Sequence, residues 1–143
     1  MPRIFGVVFV VAALGAGGMT LADEGHDKKA KVKVLAERDV AETVDGKKAK
    51  AVTVEVTLEP GEASLPHRHP GPVFGYVLEG EYEWAIDDNP AKILKVGDTF
   101  YEPTGCLHRV SKNPSKEGKT RILAVVLHPA DVKDIVIPEK DKK

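Results

Sequence analysis

Gly61-Glu62-Ala63-Ser64-Leu65-Pro66-His67-Arg68-His69-Pro70-Gly71-Pro72-Val73-Phe74-Gly75-Tyr76-Val77-Leu78-Glu79-Gly80 is the stretch whose reading decides the fold. His67 and His69 stand two residues apart. On extended backbone that spacing sets both imidazoles on one face and turns Arg68 to the other. If the histidines face inward, Val73, Gly75 and Val77 share their face, and Gly75 leaves room there for a ligand. Phe74 to Leu78 is an apolar run of aromatic and β-branched character, and Glu79-Gly80 reads as a hairpin turn into Glu81–Ile86. Upstream, Val52, Val54, Val56 and Leu58 alternate with Thr53, Glu55 and Thr57, the period of a half-buried strand, until Pro60-Gly61 stops it. Downstream, the turn Asp87-Asp88-Asn89-Pro90 precedes short strands over Ile93–Val96, Thr99–Glu102 and Leu107–Ser111, and Arg121–His128 ends at Pro129. Short strands at close spacing, punctuated by Gly and Pro, predict an all-β sandwich or barrel. Asp131 to Ile137 reads equally as a turn of helix or an edge strand.

A second block, Gly97-Asp98-Thr99-Phe100-Tyr101-Glu102-Pro103-Thr104-Gly105-Cys106-Leu107-His108, places His108 just past a Pro-x-Gly turn. Two histidines from one strand and a third from another can converge on a metal inside a β-barrel. Such a site keeps open positions, as catalytic metals do. Together the two blocks resemble the paired motifs of the cupin superfamily. The first motif runs Gly, five residues, His-x-His, three or four residues, Glu, six residues, Gly; the second runs Gly, five residues, Pro-x-Gly, two residues, His, three residues, Asn.

The resemblance implies a single-domain cupin jelly roll (double-stranded β-helix) of the small cupin-2 type, with His67, His69 and His108 as metal ligands. Two positions depart from the pattern. Val73 stands where most metal-binding cupins carry a glutamate, and the closing Asn falls on Lys112, with Asn113 one position late. Three neutral histidines without an adjacent carboxylate resemble the three-histidine iron(II) cupins, which include β-diketone and thiol dioxygenases. The implied cofactor is a divalent metal ion, with Fe(II) favoured and Mn, Ni, Zn or Cu as alternatives. The implied function is a metal-dependent dioxygenase acting on a small chelating substrate. The alternative is a non-catalytic module binding a metal, a sugar or a small acid, because the fold hosts both.

Glu102 is the catalytic candidate among the acids. It shares a strand face with Phe100, and if that face points inward its carboxylate lies near His108. There it would accept a hydrogen bond from a ligand imidazole or act as a general base, and the resemblance to some related iron dioxygenases implies a fourth-ligand role as an alternative. Tyr82, Trp84, Ile86 and Phe100 either wall a pocket or form plain core. Cys106 reads as a structural turn residue, Arg68 and Arg109 as outward ion-pairing groups, and His26 and His128 as incidental.

The whole chain has 143 residues, 42% apolar and 30% charged, with a formal net charge of -1, which suits one soluble domain. No basic stripe points to nucleic acid. The single Cys106 excludes an intrachain disulfide and a multi-cysteine zinc site. Residues 1–22 read as a signal peptide: Arg3, an apolar core over Ile4–Ala16, and Thr20-Leu21-Ala22 before the cut. The core is short for a membrane span of roughly 20 residues, so stable membrane association after cleavage is not expected. The protein is then periplasmic or secreted. Residues 23–31 read as a mobile leader, 32–130 as the β-barrel domain and 131–143 as a C-terminal extension. The expected partner is a small-molecule ligand or substrate. The resemblance also implies a homodimer paired through sheet edges, with Ala51–Leu58 as the candidate edge.

Overall fold

Alternating β-branched and polar residues, cut by Gly and Pro at short intervals, favour strands, and the described residues form strands and turns without a helix. The computed structural model describes residues 30–139. Ten strands follow in order: β1 (Lys31–Val44), β2 (Lys47–Leu58), β3 (His67–Arg68), β4 (Val73–Glu79), β5 (Glu81–Ile86), β6 (Lys92–Lys95), β7 (Thr99–Glu102), β8 (His108–Lys112), β9 (Thr120–Pro129) and β10 (Ile137–Pro138). They form two five-stranded antiparallel sheets, β1-β2-β9-β4-β7 and β10-β3-β8-β5-β6. This is the all-β jelly roll expected from the motifs.

Between the sheets lies one apolar core. Val52, Val54 and Leu58 from β2 meet Val73 and Val77 from β4, Tyr82 from β5, Phe100 from β7, and Ile122, Ala124 and Val126 from β9. The period of two is what fills it. Val73, Gly75 and Val77 point in, while Phe74 and Tyr76 on the same strand stay exposed.

Four expectations change. Ala51–Leu58 is not an edge: β2 is paired on both sides, by β1 and β9. The strand that covers it, β1, is exposed on both faces and broken by bulges at Val34/Ala36 and Val40/Thr43. Those bulges erase the alternation that would have announced it. Glu79-Gly80 is not a hairpin turn, because β4 and β5 belong to opposite sheets. The corner is tight: a Cβ on Gly80 would come within 2.5 Å of the Lys119 carbonyl oxygen, and its φ is +74°. Gly75 leaves no free room, since the Phe100 ring of the paired strand fills the space above it.

The leader boundary also moves, because Lys31 already pairs with Thr57. The signal peptide, His26 and the rest of the leader lie outside the described residues. Residues 131–139, the described part of the C-terminal extension, return to the barrel. Ile137 and Pro138 pair with Arg68 and His67, and Glu139 forms an ion pair with Arg68 at 2.9 Å. Residues 140–143 lie outside the described residues.

Asn113 closes the second motif despite its one-position offset. Its side-chain amide donates to the Leu58 and Gly118 carbonyls at 3.1 and 3.0 Å, and its Oδ1 accepts from the Ser115 amide at 3.0 Å. The residue is fully buried. Asn113→Ala should therefore cost about 2–4 kcal/mol, by leaving buried backbone groups unpaired. Denaturant unfolding of the variant beside the parent checks this.

Candidate metal centre

Pairing geometry brings the histidines together. In β3, His67 is the cross-strand partner of His108 in β8 and of Pro138 in β10. Directly paired residues point to the same face, so the imidazoles of His67 and His108 emerge side by side. His69 follows two residues later on that face. Ring centroids of His67 lie 4.8 Å from His69 and 4.9 Å from His108. One nitrogen from each of the three falls within 4.8 Å of the others.

The hydrogen bonds select the tautomers. His67 Nδ1 faces the Leu65 carbonyl oxygen at 2.8 Å, and His69 Nδ1 faces the Ile135 carbonyl oxygen at 2.5 Å. A carbonyl can only accept, so both Nδ1 atoms carry the proton and both Nε2 lone pairs are free. His108 Nε2 lies 3.2 Å from the Tyr82 hydroxyl, which in turn donates to Ser111 Oγ at 2.9 Å. His108 Nδ1 is buried without a hydrogen-bond partner. Burial lowers the pKa of all three rings, and that of His108 falls to about 3, helped by its histidine neighbours. Three neutral rings with unshared lone pairs are the donor set a divalent cation requires.

Glu102 points inward, as its shared face with Phe100 requires. It is 1% exposed. Oε1 accepts from Trp84 Nε1 at 3.0 Å and lies 3.2 Å from His108 Nδ1, not aligned for a hydrogen bond. Oε2 lies 3.6 Å from His69 Nε2 and has no hydrogen-bond partner. Burial pushes the carboxyl up to about 7, against the lowering effect of the Trp84 bond.

A cavity of about 600 Å³ adjoins the cluster. His67, His69, His108 and Glu102 line it, together with an apolar wall that includes Val32, Val54, Val56, Leu65, Ile135 and Val136. Tyr82 and Phe100 belong to the core and also reach the cavity, whereas Trp84 and Ile86 do not line it. Trp84 packs on Phe100 with ring centroids 5.7 Å apart and serves the site through Glu102 instead. Among the described residues, no lysine or arginine lines the cavity. Arg68 is held by Glu139 and the Gly105 carbonyl, and Arg109 by the Asp87 and Asn89 carbonyls. Cys106 is half-buried, and burial raises its thiol to about 11, so it is no ready thiolate. His128 is buried at the end of β9, outside the histidine cluster, with Nδ1 donating to the Pro129 carbonyl.

Sequence reasoning missed the supports behind the ligands. The Ile135 carbonyl fixes His69, and β10 pairs with β3, yet a backbone carbonyl leaves no mark in sequence. Tyr82 and Ser111 behind His108 had a weak signal, as polar groups at inward positions of their strands.

The architecture recurs in solved structures. An uncharacterised protein with a double-stranded β-helix domain from Klebsiella pneumoniae superposes with a TM-score of 0.58 at 21% identity, over 79% of this chain and 88% of that one. An oxalate oxidase gives a TM-score of 0.58 at 21% identity, over 80% of this chain and 57% of that one. The DMSP lyase DddQ from Ruegeria pomeroyi gives 0.58 at 18% identity, over 92% of this chain and 61% of that one. These likenesses establish the fold alone, and the chain spans under two thirds of the length of both enzymes. No curated protein matches the chain by sequence. The model of the cupin domain matches residues 54–126, just over half the chain and including all three histidines, and the protein belongs to the cupin family.

Proposed function

We propose that this cupin is an exported metalloprotein that holds one divalent ion through His67, His69 and His108 and takes a small chelating molecule at the ion's remaining positions. Iron(II) and dioxygenase chemistry are the leading form of this reading. One observation carries it: three neutral histidines, two with their tautomers fixed by backbone carbonyls, converge beside an apolar cavity. When bound, a divalent ion supplies Lewis acidity and, as iron(II), the one-electron chemistry that dioxygen needs.

The chain's own residues limit what can enter. The cavity volume of about 600 Å³ suits a small molecule. Its wall is mostly apolar, and among the described residues its only charged side chains besides histidine are Glu62 and Glu102. Among the described lining residues an anionic ligand would find no cation except the metal, which favours a ligand with its charge at the metal end and an apolar body. A sugar would leave most of its hydroxyls without partners, which disfavours the sugar-binding alternative. The apolar wall would also exclude water around the bound molecule. Export to the periplasm or beyond is part of the proposal and is supported by the N-terminal sequence.

The test is metal content. Untagged protein purified anaerobically should carry about one iron per chain, lost in His67→Ala/His108→Ala. Oxygen uptake with β-diketones, thiols and phenolic ketones would then identify the substrate class. Zinc, nickel or copper at that ratio would keep the centre and overturn the dioxygenase form. No metal, after reconstitution with each ion in turn, would overturn the centre itself.

A further inference from the structure

The end of β9 holds a polar atom that the metal centre does not use. His128 is 3% exposed. Its Nδ1 lies 2.9 Å from the Pro129 carbonyl oxygen, and a carbonyl can only accept, so Nδ1 carries the proton. The neutral ring then presents a lone pair at Nε2. That atom is buried and has no hydrogen-bond partner among the described residues. A buried acceptor left unpaired is costly unless another molecule fills the place. Two charged groups stand beside it. His128 is the cross-strand partner of Lys50, and one row deeper Glu37 is the partner of Val52. Val52 and Val126 belong to the core, and residues two apart share a face, so Glu37, Lys50 and His128 all lie on the inner side of the sheet. Glu37 and Lys50 form an ion pair. Together with Val132 and Ile135 from the segment after β9, these residues line a recess of about 340 Å³. Only Ile135 belongs to both this lining and that of the cavity at the three histidines.

We propose that this recess is a second binding site, separate from the metal centre, for a one-ring phenol whose hydroxyl donates to His128 Nε2. The lining sets the class. Val34, Val52, Val132 and Ile135 favour an apolar body, and the volume suits a small one. One buried acceptor calls for one donor, and a phenol, being more acidic than an alkanol, is the stronger donor. Lys50 and Lys133 outnumber Glu37 among the described charged residues of the lining, which disfavours a protonated amine in that role. Water fits the place poorly. A buried water makes roughly two to four hydrogen bonds, and Glu37 and Lys50 are already engaged with each other.

Titration calorimetry of the full chain with phenol tests this. Phenol should bind saturably to the parent and equally well to His67→Ala/His108→Ala, which lacks the metal centre. Anisole, whose methyl ether cannot donate, should bind about tenfold or more weakly than phenol. Val132→Phe, which fills the recess and keeps His128, should abolish binding, and His128→Leu should weaken it about tenfold or more. Long-range proton–nitrogen NMR of the parent gives a readout that needs no variant to fold. His128 Nε2 should appear as an unprotonated nitrogen, and its signal should move as phenol saturates the site. Absence of saturable binding to the parent would overturn the proposal, as would equal affinity for phenol and anisole or an unmoved Nε2 signal. Loss of binding in His67→Ala/His108→Ala, with Val132→Phe still binding, would place phenol in the histidine cavity and overturn it too. Benzoate binding more tightly than phenol would overturn the ligand class, because Nε2 would then carry a proton and serve an anion.

Discussion

Gly71→Ala should destabilise the protein by about 3 kcal/mol or more, at the severe end of overpacking. A Cβ at this position would stand 1.6 Å from the Leu127 carbonyl oxygen and 2.7 Å from its carbon. Neither partner can retreat cheaply. Leu127 N donates to the Pro72 carbonyl at 3.0 Å, which ties the loop to β9, and β9 is itself locked between β2 and β4. The loop also runs directly from His69 to Val73, so any displacement moves a metal ligand. Gly118→Ala is the control. It has a φ of +77° and nothing within 4 Å, so it should cost only the backbone strain of about 1–2 kcal/mol. Equal losses in denaturant unfolding of the two variants would show that the loop yields and that the close approach is not decisive.

Ending the chain after Asp134 should weaken metal binding about 10–100-fold, the usual cost of losing a partner that orients a ligand. Three supports go at once: the carbonyl that accepts from His69 Nδ1, the β10 pairing on β3, and the Arg68–Glu139 ion pair. The same cut opens the cavity wall at Ile135, Val136 and Pro138. The buried core lies within residues 52–126, so the truncated barrel should still fold. Zinc competition titration beside an unfolding curve separates the two effects. Unchanged affinity in a folded, truncated chain would mean that β3 holds the histidines without help from β10.

Much of the site was legible because its chemistry is local in sequence. His67 and His69 share a face by the pleat alone. Phe100 and Glu102 do so for the same reason, and both point inward. Turn residues marked most strand boundaries from Pro60 onward. What failed were statements about neighbours. Ala51–Leu58 passed for an edge because a strand's alternation is the same whether it has one partner or two. Glu79-Gly80 passed for a hairpin because a tight turn looks alike whether the chain doubles back in one sheet or crosses to the other. Gly75 passed for open space because the ring that fills it comes from residue 100.

By itself, then, the sequence determined an all-β chain, because strand periodicity and Gly/Pro turns act through bonds between near neighbours, while the resemblance of its two motifs to cupins implied the jelly roll and the three convergent histidines. Only the tertiary structure decided that β1 covers β2 and that residues 135–139 clamp β3. Only it showed Glu102 opposite Val73 with one oxygen free beside the cluster. Those facts depend on cross-strand register and on backbone carbonyls meeting side chains far away in the chain. Neither is written in the identity of any single residue.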